Sequence, residues 1–167
     1  MEAVQQLANF INPPDIVRSP VSSSLFDGFG PSIELPEDYI SFLNIFGAGC
    51  LTSDRYKLFT FDLTAAPDQR AEVVWESSCD GREYQIQERC YGAYPETPGV
   101  LPWGCDDQGL TFFWLVDGLP SSWRTIVGRT EYNLYEMGMT QLMLDCVANR
   151  IPFYDDVIGD NIRYIPS

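Results

Sequence analysis

Seven consecutive residues, Leu110-Thr111-Phe112-Phe113-Trp114-Leu115-Val116, restrict what this chain can fold into more than any other stretch. The run is far shorter than the ~18 apolar residues of a membrane span. Asp106-Asp107-Gln108-Gly109 precedes it and Asp117-Gly118 follows it, so turn chemistry bounds it on both sides. Aromatic and branched residues fill both the odd and the even positions. A strand of that kind presents an apolar side chain to each face of its sheet, so it is expected at the centre of a sheet buried on both faces. Val100 to Trp103, just before the turn, supplies its hairpin partner.

The flanking chain changes period. Leu35, Tyr39, Phe42, Leu43 and Phe46 recur at spacings of three and four, which predicts a helix with one apolar face. Pro36 has the φ suited to a first helical turn, Glu37 and Asp38 complement the positive end of the helix dipole, and Gly47 or Gly49 can end it. A second helix is expected at 1–11. A third begins at Thr140, read as its N-cap, and buries Met143, Leu144, Val147, Ala148 and Ile151 before Pro152.

Residues 12–31, rich in Pro, Ser and Gly, read as a surface connection. In Lys57 to Leu63 the alternation predicts a strand whose apolar face carries Phe59, Phe61 and Leu63. Further strands are expected at Glu72–Trp75 and Tyr84–Gln87, with a turn at Cys79-Asp80-Gly81, then at Trp123–Val127 and Tyr132–Met137. Residues 152–167 read as a tail with a short extended piece. The whole predicts one α+β domain over 1–167: a mostly antiparallel sheet of about six strands, covered on one face, with helices at both chain ends.

Three stretches together resemble the SUKH superfamily, which joins fungal Smi/Knr-type cell-wall synthesis regulators to many bacterial toxin-immunity proteins. They are Leu35-Pro36-Glu37-Asp38-Tyr39 through Phe46-Gly47-Ala48-Gly49, Leu101-Pro102-Trp103-Gly104-Cys105-Asp106-Asp107-Gln108-Gly109 through Leu115, and Trp123-Arg124-Thr125-Ile126-Val127 through Leu142. The resemblance covers residues 35–151 and departs from the family where the helix ends Asn44-Ile45-Phe46-Gly47, and over 65–98. It implies an immunity protein that binds and neutralises a toxin domain by protein–protein contact, as a monomer or weak homodimer. A regulatory or scaffold protein of the same fold is the alternative.

Charge and missing residues bear on function separately. The 24 acidic and 10 basic residues of this 167-residue chain give a formal net charge of −14. That field repels nucleic acid and attracts a basic protein, so the expected partner is a toxin with a basic surface, for example a nuclease. The chain has no histidine, which removes Ser-His-Asp and Cys-His activation and the commonest metal ligand. Five cysteines without a C-x-x-C pair read as reduced, mostly buried thiols.

No catalytic residue, cofactor or metal is therefore assigned. A carboxylate-dependent metal enzyme using Asp106 and Asp107 is the remaining enzymatic reading, and Asp155-Asp156 and Asp160 could in principle serve similarly. The candidate partner-binding residues are an exposed Trp103 beside Asp106 and Asp107, with Glu76, Asp80, Glu83 and Glu88 as a variable acidic surface. Glu2 without an early Lys or Arg does not resemble a secretory signal, so a cytoplasmic location away from membranes is expected.

Overall fold

The computed structural model describes residues 2–15, 34–64, 83–151 and 161–167. The expected strand at 72–75, the turn at 79–81, Glu76, Asp80, Asp155, Asp156, Asp160 and most of the 12–31 connection lie outside the described residues. Among the described residues three helices are present: α1 (Glu2–Phe10), α2 (Glu37–Ile45) and α3 (Met139–Val147). Nine strands accompany them: β1 (Gly49–Thr52), β2 (Lys57–Thr60), β3 (Tyr84–Ile86), β4 (Arg89–Ala93), β5 (Gly99–Asp106), β6 (Thr111–Val116), β7 (Arg124–Gly128), β8 (Tyr132–Tyr135) and β9 (Arg163–Pro166). Among the described residues no helix is long and apolar enough to cross a membrane.

The fold is α+β, but its sheet is neither open nor limited to about six strands. Strands run in the order β4-β3-β8-β7-β6-β5-β2-β1-β9, and a further pairing of β4 with β5 closes the first six into a barrel. Both pairings at the closure are parallel, Ile86 with Tyr132 and Gly92-Ala93 with Gly99-Val100. β5 serves two neighbours along one edge. Its start pairs with β4, and its end, Gly104 to Asp106, pairs with Thr60 to Leu58 of β2. The change falls at a register shift between Pro102 and Gly104, where a proline without an N–H is tolerated in a strand interior.

Closure explains why the strand at 110–116 is apolar throughout. Phe112, Trp114 and Val116 face the helices, where they join Leu7, Tyr39, Phe42, Trp103 and Met143. Phe113 and Leu115 face the barrel interior, with Tyr84, Ile86, Val100 and Ile126. The expected coverage of one face is thus corrected: helices cover one side of β5–β7, and the sheet's own curvature covers the other.

The phase of β2 is also corrected. Leu58 and Thr60 are buried, whereas Phe59 is 37 % exposed on the opposite face. Alternation stops at Thr60, and Phe61 and Leu63 reach the core from the following loop. That loop is held by Tyr39, whose hydroxyl donates to the Phe61 carbonyl (2.5 Å) and accepts from the Leu63 N–H (3.0 Å). β4 carries no clear alternation and no strand was expected there. Its hairpin with β3 turns at Gln87, which takes a left-handed φ of 56°.

α2 stops as its sequence suggests, with Gly47 in the left-handed region and its N–H donating to the Leu43 carbonyl. The N-cap of α3 is Gly138, two residues before the expected Thr140, which lies in the first turn. The capping carboxylate comes from 102 positions away: Asp38 Oδ2 accepts from the Thr140 N–H (3.2 Å) and from Thr140 Oγ1 (2.9 Å). Oδ1 of the same carboxylate accepts from the Tyr39 N–H at the start of α2 (2.8 Å). One side chain therefore satisfies two helix N-termini and locks them together. A Cβ at Gly138 would lie 2.9 Å from Asp38 Oδ2, so any larger residue there would have to displace the capping carboxylate. Asp38→Ala is expected to destabilise the fold by about 1–2 kcal/mol, the range of a lost N-cap, with Asp38→Asn closer to the parent in chemical denaturation.

Candidate partner-binding site

The expected anchor of Trp103 beside two aspartates is not on the surface. Trp103 has no exposed area and packs against Phe112 and Trp114, with ring centroids 5.1 and 6.2 Å away. By strand alternation it shares the helix-facing side of β5 with Leu101. Asp106 is also buried. Its Oδ1 accepts from the N–H groups of Gln108 (2.9 Å) and Leu110 (2.6 Å), tying the β5–β6 turn in which Gly109 takes a φ of +91°. The Tyr56 phenol lies against the same carboxylate, and burial followed by the Asp106 charge raises its pKa.

Asp106 therefore ties the turn through its side chain. Asp107 is exposed, and its N–H donates to the Lys57 carbonyl (3.1 Å). Glu83 and Glu88 are exposed at the two ends of β3, a strand separated from β5 by β4. Asp107 lies at the end of β5 remote from β4, so the structure does not gather these acids into one surface.

The described cysteines are free thiols. Cys146 is buried, Cys50 and Cys105 are half-buried and Cys90 is exposed, which corrects the expectation that most are buried. Register places Cys50 and Cys105 on either side of Phe59. Burial first, then the Asp106 charge and Cys50, pushes the Cys105 thiol up to about 11. Burial also raises Cys50 and Cys146. At neutral pH these three are thiols and not nucleophilic thiolates.

What the structure does bring together is a cleft of about 350 Å³ where the first turns of all three helices meet the Pro120–Ser122 turn. Trp114 and Trp123 lie at its base, Pro36 and Pro120 form apolar walls, and Ala3 and Gly138 leave room between the helices. Glu37, Asp38, Ser121, Thr140 and Gln141 contribute the polar lining, and among the described residues no lining residue is Lys or Arg. Leu119, 73 % exposed, forms an apolar lip beside Pro120.

Magnitudes decide the sign of this cleft. Three helix N-termini contribute roughly +0.5 charge each, about +1.5 together. Glu2, Glu37 and Asp38, in the first turns of α1 and α2, carry three full negative charges, which leaves roughly −1.5. Two of the described arginines are already paired, Arg124 with Glu136 (3.0 Å) and Arg150 with Asp145 (2.5 Å).

Asp38 is committed to the helix junction, whereas Glu37 is exposed and makes no hydrogen bond or ion pair among the described residues. Sequence reading identified Glu37 and Asp38 only as dipole complements. The remaining lining residues carry no local signal for a shared site, because they come from three helices and a turn.

Comparisons with protein-family models, curated proteins and solved structures return no match for this chain.

Two outcomes follow from these placements. Trp103→Ala is expected to destabilise the fold by about 3–5 kcal/mol, as loss of a core tryptophan does, whereas Asp107→Ala stays within about 0.5 kcal/mol in urea denaturation. An unfolded Cys105 releases its proton near 9.0 and the folded one near 11, so the unfolded state binds fewer protons between those values. Stability then falls as pH rises from 9 towards 11, and Cys105→Ala should lessen that fall in thermal melts across the window.

Proposed function

We propose that this chain is a binding protein of the toxin-immunity kind, which neutralises a basic toxin domain by covering its active surface. The observation that carries the reading is the acidic cleft: Glu37 and Asp38 stand over tryptophan and proline walls, with no basic residue among the described lining residues and Leu119 exposed beside Pro120. A concave, largely apolar site with a few convergent polar groups is the usual form of a recognition pocket. The net charge of −14 adds a long-range term that speeds encounter with a basic partner. The three-stretch SUKH resemblance supplies the toxin-immunity class.

The mechanism would divide into two physical parts. Charge steers the approach and is weakened by salt, whereas the apolar contacts at Leu119 and the cleft walls govern how slowly the complex separates. If the toxin acts on nucleic acid, the groove that holds phosphates would be the natural target of this acidity.

The test is capture of partners from the source cell by the immobilised full chain at low and high salt, followed by rescue of a host that expresses the captured protein as a toxin. Capture of a basic toxic protein, weakened by salt, together with rescue is the expected result. Capture of a resident regulatory complex without any rescue would overturn the neutralisation reading.

A further inference from the structure

We infer that the cleft between the helix N-termini is a receptor for one arginine side chain of the protein partner, an inference that rests on the binding reading above. Its polar chemistry is rich in acceptors. Glu37 offers an uncommitted carboxylate on α2, and Ser121 offers a hydroxyl on the Pro120–Ser122 turn. On α3, Gln141 has its amide N–H committed to Asp145 (2.7 Å), which leaves its side-chain carbonyl as an acceptor. Three acceptor-bearing residues from three separate elements therefore line the cleft.

A guanidinium complements this set better than an ammonium. It presents five N–H donors in a fixed plane, is weakly hydrated, and can engage separated acceptors together. The three methylenes of its stem match the apolar wall of Pro36, Pro120 and Trp123, because a long basic side chain buries its stem while its head stays polar. The cleft volume of about 350 Å³ is in the range of small recognition pockets and accommodates one side chain with its flanking backbone. Leu119 at the lip then meets the partner surface beside the inserted residue.

An anion is disfavoured at the same place. The helix N-termini that could attract it already carry Glu2, Glu37 and Asp38, and Asp38 occupies the α3 terminus directly.

The test titrates the isotope-labelled full chain with a capped Gly-Arg-Gly peptide and with its citrulline counterpart, which keeps the shape and removes the charge. The arginine peptide should move the indole N–H resonance of Trp123 and the side-chain amide of Gln141, and the citrulline peptide should not. Glu37→Gln, at an exposed position, should weaken binding about fivefold while lowering the melting temperature by no more than about 2–4 °C, the effect of losing one charge at a helix N-terminus. Still resonances, or equal shifts with citrulline, would overturn the proposal. If the full chain captures a basic toxin and Glu37→Gln leaves that capture unaltered, the arginine site fails while the binding reading stands. If the peptide binds as stated but no toxin is captured or neutralised, the site stands and the neutralisation reading fails.

Discussion

The position of β5 between two neighbours on one edge organises everything else in this molecule. By pairing first with β4 and then with β2, it belongs at once to the closed barrel and to the β2-β1-β9 extension. The Pro102–Gly104 irregularity lets the edge change partner without a buried N–H left unpaired at Pro102. The hairpin from β5 to β6 then has two interiors to fill, one beneath the helices and one inside the barrel. Aromatic side chains fill both, which gives the sheet its rigidity and the helices a fixed platform.

On that platform the helices are held less by their own sequences than by one another. Each spans only nine residues, too short to be stable alone in water. Packing against Trp114, Phe112 and Trp103 supplies most of what keeps them formed, and the Asp38 carboxylate aligns two of their N-termini. This alignment has a functional consequence. The helix starts converge over a tryptophan base, and the acids that stabilise them locally also charge the cleft they enclose.

Much of this was legible along the chain. The apolar run at 110–116 announced a central strand, the three-and-four spacing from Leu35 to Phe46 announced α2, and Gly47 or Gly49 offered its end, of which the structure uses Gly47. Each is a local property, visible because the period of side-chain burial follows from the backbone geometry of one element. The phase of β2 was misread because Phe61 and Leu63 are buried from a loop, which gives the same apolar spacing as a longer strand. β4, with Cys90, Gly92 and Ala93, carries too little alternation to declare itself.

The candidate site was the less legible part. Trp103 and Asp106 have the composition of an interface and the burial of a core, since an aromatic beside a turn carboxylate reads alike in both settings. The cleft residues come from positions near 3, 37, 114, 121 and 141, and no spacing rule links them. By itself, the sequence determined the three helices and the central hairpin, where several elements stop, and that the chain is strongly acidic. Closure of the sheet, the facing of Phe59, the capping of α3 by Asp38 and the placing of acceptor-bearing residues along one cleft were decided only by tertiary structure. Local spacing sets the dihedral pattern and burial period of an element, whereas contacts across a hundred residues depend on how finished elements pack.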